Sequence, residues 1–186
     1  MMEYKMKIAG LERALPLCPL NDDLYIAGFV MFGDEEITVA AARELLKLAP
    51  EHDVMITAES KGIPLTYEMA RQNGNERWLL ARKMPKLYMR NIMQCKVHSI
   101  TTDAIQTLYL DGDDAAYLRG KRVLIVDDVV STGESLHGLE TLVNAAGGNI
   151  VGKMAVLAEG AAADRDDLIY LEKLPLFNAK GEVIDG

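Results

Sequence analysis

Residues 123–135 hold the densest chemistry in the chain: Val123-Leu124-Ile125-Val126-Asp127-Asp128-Val129-Val130-Ser131-Thr132-Gly133-Glu134-Ser135. Four apolar residues run into two adjacent acids, then into a Ser-Thr-Gly turn, then into a helical pattern. Such a strand, turn and helix place the turn outside the carboxyl end of a strand, where open α/β sheets bind ligands. Glycine lets the backbone approach a ligand, while N–H groups and hydroxyls at the helix start make a nest for a phosphate. Two carboxylates just upstream would repel that phosphate unless they face something else. A vicinal diol would suit them, as would a divalent cation carried by the substrate. A sugar phosphate satisfies both halves. Either half alone is an acidic turn with a helix cap; the thirteen residues together point to a site.

Two further stretches carry anion chemistry. Ile56-Thr57-Ala58-Glu59-Ser60-Lys61-Gly62-Ile63-Pro64-Leu65 is again strand, short polar turn and helix. Backbone N–H groups at Ser60 to Gly62 plus the Lys61 cation suit a diphosphate. Ala81-Arg82-Lys83-Met84-Pro85-Lys86-Leu87 sets three cations within five residues of an otherwise acidic protein, a local anion pocket. Taken alone, each would be a surface helix start or a solvated basic turn.

In this order and spacing the three stretches resemble the type I phosphoribosyltransferases, most closely the adenine enzymes. Residues 123–135 resemble that family's phosphoribosyl-pyrophosphate signature. The resemblance implies that Asp127 and Asp128 address the ribose hydroxyls as catalytic acids, and that Val130, Ser131, Thr132, Gly133, Glu134 and Ser135 cradle the 5-phosphate. It assigns Glu59, Ser60, Lys61 and Gly62, with Arg82, Lys83 and Lys86, to the diphosphate. It further implies Mg2+ held mainly by the substrate, assisted by Asp127 and Asp128, and a homodimer. Residues 174–177, Leu-Pro-Leu-Phe, are similar to an adenine-enzyme tail. Three features depart from the family pattern. Glu134 stands where a second glycine is common. Residues 99–106 replace the usual Glu-Tyr-Gly element of the flexible loop. A Phe/Pro-rich base-binding segment is not evident in residues 1–32.

The elements that must position these residues are legible from periodicity. Short β-branched runs predict strands at 25–31, 53–58, 78–82, 122–127, 150–158 and 168–171. Ile37, Ala40, Ala41, Leu45 and Leu48 share one helical face, as do Ile63, Thr66, Tyr67 and Ala70, and Leu136, Leu139, Val143 and Ala146. The third helix should end at Gly147-Gly148. Alternation of this kind gives an α/β fold, a central mostly parallel sheet flanked by helices. Within a single domain of 186 residues, residues 1–35 and 159–186 are expected to form a small base-binding hood. Residues 88–110 form a flexible lid loop whose flanks can pair as a hairpin.

A net charge of −8, from 20 basic and 28 acidic residues, disfavours nucleic acid as a partner. No apolar run approaches a membrane span and no signal peptide opens the chain, so the expected location is cytoplasmic. Cys18 and Cys95 match no disulfide framework or zinc spacing, and His52, His98 and His137 fit no ligand set. The expected reaction joins a purine, adenine by resemblance, to 5-phosphoribosyl 1-pyrophosphate, releasing diphosphate. Two alternatives stay open: xanthine or another base as acceptor, and a non-catalytic sensor of phosphoribosyl pyrophosphate. A fused DNA-reading module has no room in the roughly 24 residues expected to precede the first strand.

Overall fold

The computed structural model describes residues 2–98 and 105–184. Five strands form the central sheet: β4 (Val54–Ala58), β5 (Trp78–Ala81), β8 (Arg122–Val130), β9 (Asn149–Glu159) and β10 (Ile169–Leu174). Their order is β10-β9-β8-β4-β5, and every pairing is parallel. The strands β4 and β8 lie side by side, so the turns that leave them are neighbours at one edge of the sheet.

Apolar side chains on both faces explain why β8 is central. Leu124 and Val126 join one core with Ile37, Ala41 and Leu45 of α1 (Glu35–Leu48) and Leu65 and Met69 of α2 (Ile63–Asn73). Val123 and Ile125 join the other with Leu136, Leu139, Leu142 and Val143 of α4 (Glu134–Ala145). Successive strand residues point to opposite faces, which makes a four-residue apolar run the signature of a doubly covered strand. As expected, α4 stops just before Gly147, which takes a left-handed φ of +80°.

The N-terminus departs from expectation. Strand 25–31 shortens to β3 (Leu24–Ala27) and leaves the parallel sheet. It pairs with β2 (Leu11–Pro19), which pairs with β1 (Glu3–Ile8). The 24 residues read as preceding the first strand therefore hold a hairpin, closed by Ala9 and Gly10 at φ +50° and +86°. Positive φ at both turn positions matches the right-handed twist of paired strands. The C-terminal strands β11 (Leu176–Asn178) and β12 (Val183–Ile184) complete this antiparallel sheet, in the order β1-β2-β3-β11-β12. Its buried Ile8, Leu15 and Phe177 pack into the α1/α2 core.

The flanks of the expected lid do pair. A hairpin joins β6 (Met93–His98) to β7 (Ile105–Leu110), and α3 (Gly112–Leu118) follows. Of residues 99–106, which stand in place of the family's flexible-loop element, residues 99–104 lie outside the described residues. Arg82 and Tyr109 exchange two backbone hydrogen bonds of 2.8 Å, which fasten the hairpin to the chain leaving β5. Among the described residues no helix is long and apolar enough to cross a membrane.

Candidate active site

Three turns meet at the carboxyl ends of β4, β5 and β8. Ladder pairing carries β8 through Val130, opposite Ala158 of β9. Asp127 thus stands inside the strand, as the sequence predicts, and Asp128 does too, since β8 runs three residues past the predicted end at 127. Both are buried, at 5% and 3% exposure. Asp127 Oδ1 accepts from its neighbour's backbone N–H at 2.9 Å and from the Ser60 hydroxyl at 3.1 Å. Asp128 Oδ2 is buried without a hydrogen bond. Lys61 Nζ lies 3.4 Å from it, an ion-pair contact. Burial, and then the charge of Asp128, raise the Asp127 pKa above the ordinary carboxylate range.

The turn after β4 is pressed onto this pair. A Cβ on Gly62 would stand 2.9 Å from Thr57 Oγ1, 3.0 Å from Asp127 Oδ1 and 3.2 Å from the Asp127 backbone, so only glycine fits there without displacement. Ser60 Oγ also accepts from the Gly62 N–H at 3.2 Å, holding the turn closed. Lys61 reaches across to donate to the backbone carbonyl of Phe29 at 2.7 Å.

The basic stretch assembles around a carboxylate. Glu59 Oε2 accepts from the Lys83 N–H at 3.0 Å, while Arg82 Nη1 and Lys86 Nζ lie 3.6 and 3.7 Å from Oε1. That N–H and the two cations lower the Glu59 pKa. The carboxylate pre-positions cations that would otherwise repel one another. The sequence-predicted diphosphate residues therefore divide: the Arg82 and Lys86 cations and the Lys83 backbone N–H gather on Glu59, and the Lys61 side chain turns to Asp128 and Phe29.

The turn after β8 is a small cup of about 50 Å3, lined by Asp127 and by Val129 through Leu136. Gly133 is the N-cap of α4 at φ +79°, with no side-chain cap. Thr132 Oγ1 stands 3.5 Å from the Glu134 N–H. Amides at a helix start with room beside them for a few heavy atoms suit a phosphate group. A larger concavity beside Lys5 and Arg13, about 430 Å3, lies on the N-terminal hairpin and meets none of these turns.

Sequence reasoning missed two residues, Phe29 and Arg165. Phe29 enters through a backbone carbonyl, which residue type does not announce. Arg165 comes from the turn before β10, and its Nη1 lies 3.0 Å from where a Gly133 Cβ would stand. Asp167 accepts from its Nε at 3.0 Å and Nη2 at 2.9 Å. The sequence leaves Glu159 open between a contact to the base and an ordinary turn acid; it is half-buried at the end of β9, where burial raises its pKa and Lys61 lowers it.

The fold and this arrangement define an α/β protein whose amide-rich and basic turns stand at adjacent strand ends. Residues 33–178 match the phosphoribosyl transferase domain model, and the chain belongs to that family. It is 30% identical over 138 residues to an adenine phosphoribosyltransferase of Rhodococcus jostii, covering 74% of this chain and 75% of that protein. It is 29% identical over 176 residues to a xanthine phosphoribosyltransferase of Bacillus licheniformis, covering 90% and 85%. It is also 30% identical over 138 residues to the purine biosynthesis transcriptional repressor of Bacillus subtilis, covering 73% of this chain but 47% of the repressor. The adenine phosphoribosyltransferase structure from Thermoanaerobacter pseudethanolicus shares the fold, with a TM-score of 0.71 at 20% identity over 86% of this chain and 95% of that one.

Proposed function

We propose that the protein transfers the 5-phosphoribosyl group of 5-phosphoribosyl 1-pyrophosphate to a purine, with adenine as the first expected acceptor, and releases diphosphate. The observation that carries this reading is the bond from Ser60 to Asp127. It joins the turn suited to a diphosphate to the acids that lead into the phosphate cup, so both ends of one substrate meet a continuous surface. The purine relatives support the base class.

In this reading the amides of residues 131–135 hold the 5-phosphate, and Asp127 and Asp128 accept from the ribose hydroxyls. With the pKa of Asp127 raised, the pair carries less than two full charges near neutrality, which eases the approach of an anion. As the anomeric C–O bond breaks, its electron pair leaves with the diphosphate, and the sugar gains oxocarbenium character until a base nitrogen attacks and gives up its proton to the departing diphosphate. Arg82 and Lys86, held by Glu59, stabilise the departing charge. The β6–β7 hairpin serves as the lid that excludes water.

Magnesium fits as an ion brought by the substrate. Among the described residues no three His, Cys, Asp or Glu side chains form a cage. Asp128 Oδ2 is a buried acceptor available to a metal-bound water, with Asp127 beside it. When bound, the ion would neutralise diphosphate charge. The reading includes a cytoplasmic homodimer, whose mass sedimentation would measure.

Steady-state diphosphate release with adenine, hypoxanthine, guanine, xanthine and uracil tests the proposal. Release should depend on a purine and match mononucleotide formed. Tight phosphoribosyl-pyrophosphate binding without base-dependent release would instead identify a sensor, the role that the repressor relative keeps in view.

A further inference from the structure

We propose that Lys61 is a positioning residue for the ribose and base end of the substrate, and is not a ligand of its diphosphate. The inference rests on reading Asp127 and Asp128 as the ribose site.

Residue type and sequence place Lys61 in the diphosphate turn, but its side chain leaves that turn. The ammonium donates to the Phe29 carbonyl at 2.7 Å and lies 3.4 Å from the buried Asp128 Oδ2, which makes no hydrogen bond. Its charge also reaches Glu159. Acceptors from two separate stretches, the segment after β3 and strand β8, converge on one cation. The Arg82–Lys86 cations converge elsewhere, on Glu59.

Two consequences follow. Adjacent buried carboxylates repel, and one cation beside Asp128 offsets that repulsion and fixes the orientation of its carboxylate. The bond to Phe29 sets the distance between the acids and residues 28–33. In that segment Phe29 and Met31 are buried while Val30 and Phe32 are more than half exposed. Buried anchors beneath exposed apolar side chains give a surface on which a flat base can stack. Lys61 thus holds the base side and the ribose side in register. At 41% side-chain exposure it remains in reach of a ligand.

Calorimetry on the full chain separates the two roles, with purine mononucleotide and inorganic pyrophosphate as probes. Lys61→Met should weaken the mononucleotide about tenfold or more, the scale of a lost charged hydrogen bond, and leave pyrophosphate within about twofold. Lys61→Arg, which keeps the charge, should recover most of that loss. In an Asp128→Asn background the effect of Lys61→Met should shrink, because the two act as a pair. The double variant also removes the uncompensated buried charge should Lys61→Met alone fail to fold. Pyrophosphate weakened as much as mononucleotide would overturn the assignment, as would no loss for either. Wild-type mononucleotide affinity in Asp128→Asn alone would instead overturn the ribose site itself.

Discussion

The two turns proposed to bind the substrate's anionic groups are built from different materials. The turn after β8 relies on backbone: Gly133 at φ +79°, amides at the start of α4 and a cup of about 50 Å3. The turn after β4 and its basic partner rely on charge, with the Arg82 and Lys86 cations organised by Glu59, which also accepts from the Lys83 backbone N–H. A backbone cup depends on chain shape, so it should fail when a side chain is added. A charge cluster depends on a network, so it should fail when one member is removed and weaken with salt. The Ser60–Asp127 bond couples the two.

The largest effect should come from Gly133→Val. A β-branched residue at φ +79° is strained by roughly 1–2 kcal/mol, and its side chain would meet the Arg165 guanidinium. Affinity for ribose 5-phosphate should fall about a hundredfold by calorimetry, with pyrophosphate nearly unaffected. Unchanged ribose 5-phosphate affinity in a folded variant would remove the cup from the site.

Asp127→Asn and Asp128→Asn should each lower turnover, about tenfold or more, through loss of charged acceptors. Stability should move the other way for Asp127. Its raised pKa means that folding takes up a proton, so wild-type stability falls as pH climbs from the ordinary carboxylate range through the raised value. Asparagine keeps an acceptor for Ser60 and cannot ionise. Asp127→Asn should therefore melt above wild type at pH 8 and show no such gain at pH 4. A gain that is equal at both pH values would show that proton uptake is not its source.

Arg82→Ala should weaken pyrophosphate about tenfold, by loss of one charged partner, and leave mononucleotide near wild type. High salt should narrow that gap. Equal losses for both ligands would mean a general field in place of a subsite. Thr132→Ala should have the smallest effect, a few-fold on ribose 5-phosphate, since the Thr132 hydroxyl is only loosely placed at 3.5 Å from the Glu134 N–H. A loss as large as that of Gly133→Val would transfer the cup's function from backbone to hydroxyl.

The same contrast explains what the sequence could disclose. The β8 motif was legible because strand, acids, glycine and helix are contiguous, and apolar residues on both faces mark a central strand. The charge cluster was legible only as a list of cations. Nothing in residues 59–62 and 82–86 says that Glu59 gathers the Arg82 and Lys86 cations while Lys61 leaves for Asp128, because that partition is set by packing between strands far apart in sequence. The N-terminal hairpin carried a period-two pattern in residues 3–8, with Tyr4, Met6 and Ile8 alternating with Glu3, Lys5 and Lys7. Its turn, Ala9-Gly10, lacks the Asn or Asp that usually announces such a bend. Phe29 acts through a carbonyl common to every residue, so no sequence signal could have singled it out.

The central claim is that sugar phosphate and diphosphate occupy two adjoining subsites. Titrating ribose 5-phosphate and inorganic pyrophosphate with Mg2+, each alone and each in the presence of saturating amounts of the other, tests it most directly. The account predicts one site for each ligand, with affinities that change by no more than about threefold when the other is bound. Strict competition between the two would contradict it, because both would then share a single anion site.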